Sequence, residues 1–200
     1  MESLGLALKD PAAYLFPSEL DKQEAYNLLE TKGISDKSPF VVFHPGSGGK
    51  GKIWPTACWE NFCFSFLQRF SQIPVFWVGG ESDILALDFL RYQLRSLPVT
   101  FLENLPLPVL AAVLSKAWVY VGHDTGISHV AAAAGAPCLL LYGPTDPKVW
   151  APANRTVHVL TSPTSMMEDL TIEAVFDAFE YLVTTYAGNR NGFIHRSVSA

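Results

Sequence analysis

Cysteine is scarce in this chain. Cys58, Cys63 and Cys138 are the only three, an odd number with no Cys-x-x-Cys pair. That excludes a disulfide framework and a cysteine-rich zinc site, and it reads as buried thiols in a reducing compartment. Basic charge is short as well: 14 Lys and Arg against 19 Asp and Glu leave a net charge of −5. A nucleic-acid or membrane-surface binder would present the opposite, a basic face. The longest apolar stretches are broken by Lys116, Gly135 and Pro137, so no membrane span is expected. The opening residues MESLGLALKDP lack a basic stretch ahead of an apolar run, so no secretory signal is expected either. What is plentiful is apolar and aromatic material, 49% and 12% of 200 residues, enough for one well-filled globular domain. A cytoplasmic protein is the expectation.

Residues 1–38 read as an appendage. Tyr14-Leu15-Phe16-Pro17 is an apolar strip, and Ser18-Glu19-Leu20-Asp21 opens a helix with a capping-box pattern that Gly33 ends. From Phe40 the chain alternates regularly. Short β-branched and aromatic runs are expected as strands at 40–43, 75–78, 99–102, 118–121, 138–142 and 156–160. Helices are expected from Pro55 to about Ser71, Ile84 to Ser96, Pro108 to Lys116, Ile127 to Ala134 and Ile172 to Ala187. Residues 188–200 read as a mobile tail. Strands alternating with helices predict an α/β fold, a doubly wound, Rossmann-like parallel sheet over residues 39–187. In the common strand order 3-2-1-4-5-6, the first and fourth strands meet at the topological switch point, and ligands bind beyond their C-terminal ends.

Those two ends carry the loops richest in glycine and polar groups. The first runs from His44 to Lys52. It contains Gly46-x-Gly48-x-x-Gly51, a literal dinucleotide fingerprint, and Gly46-x4-Gly51-Lys52, most of a P-loop. Both fail on context: Ile53 stands where a P-loop needs Ser or Thr, and Trp54-Pro55 delays the helix. An NAD(P)-binding oxidoreductase therefore remains only an alternative. The loop is better read as an anion cradle of backbone N–H groups with Lys50 and Lys52 adding charge. The second loop, Gly122 to Gly126, opens a helix with Asp124 or Thr125 as its cap. A helix start of this kind suits a phosphate.

Taken together, the pieces resemble the bacterial heptosyltransferase family of glycosyltransferases, which build the lipopolysaccharide core on a GT-B fold. The resemblance rests on His44-Pro45-Gly46-Ser47-Gly48-Gly49 with Lys52-Ile53-Trp54-Pro55, on Gly79-Gly80-Glu81, and on Asp124-Thr125-Gly126-Ile127-Ser128-His129. Gly135-x-Pro137, Tyr142-Gly143-Pro144-Thr145-Asp146-Pro147 and Trp150-x-Pro152 complete it. It covers the C-terminal, donor-binding half of that two-domain fold. It implies an ADP-heptose-like nucleoside-diphosphate sugar as donor, a lipopolysaccharide-core or related glycan as acceptor, and no cofactor or metal. The absence of an Asp-x-Asp pair agrees with the last point.

Carried over residue by residue, the resemblance implies that Ser47 and Gly48 line the phosphates and that Lys52 meets the diphosphate or its sugar. Glu81 would take the ribose hydroxyls, or else cap the next helix. Asp124 would hold sugar hydroxyls, and Thr125 and Gly126 would offer the helix N-terminus. His129 would face the same crevice, or else pack beneath the turn. Lys52 and Asp124 are the expected catalytic pair. Trp54 and Trp150 are expected to pack rather than stack on a base. The family pattern places an acceptor-binding domain with the catalytic base ahead of residue 40, and residues 1–38 resemble its end and the linker. A chain without it, or one relying on a partner for it, is expected to bind donor without turnover. The resemblance also implies a place at the inner face of the bacterial inner membrane.

Overall fold

The structure, a computed structural model, describes residues 10–36 and 38–187. The tail read at 188–200 lies outside the described residues. Six parallel strands form one sheet: β1 (Val41–Phe43), β2 (Val75–Gly79), β3 (Val99–Glu103), β4 (Val119–His123), β5 (Cys138–Tyr142) and β6 (Val157–Thr161). Their order is β3-β2-β1-β4-β5-β6, as the alternation predicts. Phe43 pairs with Val121, so β1 and β4 lie side by side at the switch point.

Helices cover both faces because each central strand is apolar on both. Along β1, Val41 and Phe43 point to one side and Val42 to the other. Under the first face lie α2 (Thr56–Arg69), α3 (Ile84–Gln93) and α7 (Ile172–Leu182). Their centre is aromatic: the Phe43 ring lies 5.3–6.0 Å from those of Trp59, Phe62, Phe66 and Trp77. The second face carries α1 (Glu19–Thr31), α4 (Leu107–Lys116) and α5 (Gly126–Ala133) over Val42, Phe76, Tyr120 and Leu140. Ala131 and Ala132 are buried there, their small side chains letting α5 lie close to the sheet. Ser18 and Asp21 form the expected capping box, and α1 buries Ala25 and Leu29 against α4. Gly135, at φ 88°, takes the left-handed turn that ends α5.

Several boundaries differ from the sequence expectation. Strand β4 runs two residues further, to His123, because the turn starts only at Asp124. Pro55 is the N-cap of α2 and not its first helical residue. Helix α3 stops at Gln93, and α7 passes at Val183–Ala187 into a turn of π-helix. A short helix, α6 (Pro147–Trp150), capped by Asp146, has no counterpart in the sequence reading. Among the described residues no helix is long and apolar enough to cross a membrane.

Candidate nucleotide-sugar site

At the C-terminal ends of β1 and β4 the two glycine-bearing loops meet. Lys52 Nζ lies 2.7 Å from Asp124 Oδ2, an ion pair in which the lysine is 33% exposed and the aspartate 7%. Ser47 Oγ donates to the Asp124 carbonyl at 3.2 Å. The side chain of Lys50 lies outside the described ones. Thr125, rather than Asp124, caps α5: its Oγ1 accepts from the N–H groups of Ile127 and Ser128 at 3.0 and 3.4 Å. Asp124 is thereby left to Lys52. Gly126 is exposed in the first turn, where helical N–H groups have no acceptor within the helix. The loop after β5 closes this side, with Pro144 beside Gly51.

A cavity of about 270 Å³ adjoins the loops on the β2 side, lined among others by His44, Gly80, Glu81, Asn104, Leu110 and Ile127. Glu81 is exposed on its wall. The N-cap position of α3 is held by Asp83 and not Glu81, and the Asp83 side chain bonds back to the turn before the helix, its Oδ2 accepting from the Gly80 N–H at 2.9 Å. A hollow of about 340 Å³ between α1 and α4 lies far from the glycine loops, near the N-terminal ends of β1 and β4. Its Lys22 and Lys116 are engaged by Glu19 and Asp36, so the chemistry gathers in the smaller cavity.

His129 is exposed on α5, which removes the alternative that it packs under the turn. Ser128 fills that place, its hydroxyl bonding to the His123 carbonyl and lying 3.1 Å from Tyr120 Oη. Trp54 is fully buried, and its Nε1 donates to the Leu170 carbonyl at 2.9 Å. Trp150 does not pack: it is 55% exposed, because the short α6 turns it outward. The dinucleotide and P-loop patterns fail as their context predicts, since α2 starts only at Thr56, beyond the glycines.

Three polar residues beneath the loops, His123, His44 and Asp83, are outside the set of site residues that the motifs point to. His123, with no exposed surface, accepts the Trp54 N–H on Nε2 at 3.0 Å and donates from Nδ1 to the Gly46 carbonyl at 3.1 Å. Burial pushes its imidazole down to about 3. His44 Nε2 lies 3.4 Å from Asp83 Oδ2. Burial pushes the Asp83 carboxyl up, yet the bonds from His44 and Gly80 outweigh it and hold the group below its ordinary value. A histidine ending an apolar strand, and a Gly-x-x-Asp after another, are the sequence signals that mark them.

The model of glycosyltransferase family 9 (heptosyltransferase) matches residues 1–179, beginning well ahead of the His44 motif. The chain belongs to glycosyltransferase family 9. Lipopolysaccharide heptosyltransferase 1 of Pseudomonas aeruginosa is 34% identical over 110 residues, 55% of this chain and 30% of that protein. Its namesake in Salmonella typhimurium is 29% identical over 145 residues, 72% of this chain and 44% of that one. The chain thus spans less than half the length of these curated relatives. Among solved structures, the family 9 glycosyl transferase of Veillonella parvula superposes with a TM-score of 0.80 at 20% identity, over 92% of this chain and 57% of that one. An E. coli heptosyltransferase solved with ADP superposes with a TM-score of 0.68 at 26% identity, over 74% of this chain and 46% of that one. The single sheet of this family 9 chain is the Rossmann-like architecture of those GT-B neighbours.

Proposed function

We propose that this chain is the donor-binding part of a glycosyltransferase and holds an ADP-heptose-like nucleoside-diphosphate sugar across the ends of β1 and β4. The observation that carries this is the convergence of Lys52, Asp124, Ser47 and the exposed start of α5 at the switch point. Heptosyltransferase structures solved with ADP and with ADP-2-deoxy-2-fluoro heptose, both 26% identical to this chain, support the nucleotide. The nucleoside would enter the cavity beside β2, with Glu81 at its ribose. The diphosphate would sit between Lys52 and the first turn of α5, with Ser47 and Gly48 beside it.

The reaction proposed is inverting and needs no metal. The bond from the anomeric carbon to the β-phosphate oxygen breaks as the acceptor hydroxyl attacks the opposite face, and a base takes the hydroxyl proton. The diphosphate leaves with an added negative charge, so Lys52 and the α5 terminus stabilise the transition state. Asp124 holds Lys52 in place. A bound diphosphate competes for the ammonium, freeing the Asp124 carboxylate for sugar hydroxyls. The acceptor, a lipopolysaccharide-type glycan, and the base would stand on a facing wall. Residues 1–38 are read as the connection to that wall, whether it lies in the same polypeptide or in a partner.

Calorimetry against a panel of ADP-, UDP- and GDP-sugars tests the donor reading. Saturable binding with ADP-sugars preferred is expected. NAD or NADP binding more tightly than every nucleotide sugar would defeat it. Incubation with the preferred donor and a lipopolysaccharide-core acceptor, read by mass spectrometry, tests the facing wall. At most slow donor hydrolysis is expected, and multiple turnovers would show that no further wall is needed.

A further inference from the structure

The loop from Gly46 to Trp54 carries Ser47, Gly48 and Lys52 and is rich in glycine, so ordering it is entropically costly. Both of its ends are nevertheless held by one buried side chain. Because the Trp54 N–H donates to His123 Nε2, the ring proton must sit on Nδ1, where it meets the Gly46 carbonyl. A single imidazole therefore closes the loop into a ring. Gly46 rests in turn on Asp83: a Cβ there would lie 1.8 Å from Asp83 Oδ1, so only glycine fits. The same carboxylate bonds to Gly80 and His44, tying the ring to the turn after β2.

We propose that His123 is the positioning residue of the anion loop, fixing both of its ends so that Ser47 and Lys52 meet a diphosphate in a preformed arrangement. This rests on the nucleoside-diphosphate reading above and adds the group that shapes the site from beneath it. A histidine that merely filled space would have no reason to bond the two ends of one loop. A loop already closed loses less freedom when ligand binds, and that saving appears as affinity.

The test combines calorimetry, with inorganic pyrophosphate and ADP as probes, and amide hydrogen exchange on the unliganded protein. His123→Asn retains an amide near the Nδ1 position and so keeps the Gly46 arm; His123→Gln reaches the Nε2 position and keeps the Trp54 arm. Each variant, once shown by circular dichroism to be folded, should bind both probes about tenfold more weakly. Faster exchange should be confined to residues 46–54. Folded variants with unchanged affinity, or exchange rising equally through β1 and β4, would overturn the proposal. The native protein offers a check that needs no variant: the Trp54 amide should exchange as slowly as those of β4. Exchange as fast as at Gly48 and Gly49 would also overturn it. If the native protein binds neither probe while residue 123 still governs loop exchange, the diphosphate reading falls and the loop closure stands.

Discussion

Lowering the pH from 7 to 5 puts a load on one buried group in particular. His123 has no exposed surface, and burial pushes its imidazole from the ordinary 6.5 to about 3, against the opposing pull of the Gly46 carbonyl. In the unfolded chain the same ring takes a proton near 6.5. Below that pH the unfolded state therefore binds more protons, and stability falls until the folded ring is also protonated near pH 3. Above 6.5 the ring is neutral in both states and contributes no pH dependence. The loss comes to about 2 kcal/mol between pH 7 and 5, growing to about 4 kcal/mol at pH 3. A domain is stable by only roughly 5–15 kcal/mol, so this is a large fraction. His158, pushed down by partial burial, acts in the same direction, so the effect must be read as a difference. Asp83, held below its ordinary 3.8, stabilises the fold above that value and loses its contribution only at lower pH, outside this window. Urea unfolding followed by tryptophan fluorescence at pH 7, 6 and 5 would compare the native protein with His123→Asn. The native protein should lose about 2 kcal/mol more than the variant between pH 7 and 5, although the variant starts out less stable. Parallel pH dependences would refute the reasoning, because they would mean that the folded ring takes up its proton at no cost.

Lys52→Ala should weaken nucleoside-diphosphate binding by about 1.5–3 kcal/mol, the worth of a hydrogen bond to a charged group, and should lower the melting temperature as well, because the buried Asp124 carboxylate loses its partner; calorimetry on the folded variant showing equal affinities would remove Lys52 from the site. Asp124→Asn should spare stability, because Thr125 provides the cap. It should reduce the preference for the intact nucleotide sugar over the free nucleoside diphosphate, and competition binding would show whether that preference persists. Thr125→Ala, which leaves two N–H groups of α5 without their acceptor, should cost about 1 kcal/mol in denaturant unfolding. Phe43→Ala, opening a hole among Trp59, Phe62, Phe66 and Trp77, should cost about 3–5 kcal/mol, and a loss under 1 kcal/mol would mean that this aromatic layer repacks.

Much of the architecture is local and was therefore legible along the chain. Apolar runs mark all six strands to within two residues, and their alternation with helices dictates a parallel sheet. Once the order is known, the switch point follows, and with it the meeting of the loops that carry Lys52 and Asp124. Individual partnerships were not legible, because a polar side chain's partner is chosen in three dimensions and not by spacing. The N-cap position of α3 falls to Asp83, two residues past Glu81, and its carboxylate turns inward onto Gly46 and Gly80. His129 and Ser128 are neighbours on α5, but a helix turns about 100° per residue, so burying the serine leaves the histidine in solvent. Trp54 and Trp150 follow similar Pro-bearing patterns, yet one is sealed beneath α2 while the other stands out on a four-residue helix. The tertiary structure alone decided the fate of His123. Packing β4 against β1 carried it beneath a loop nearly seventy positions earlier in the chain, where both ring nitrogens found backbone partners and water was excluded.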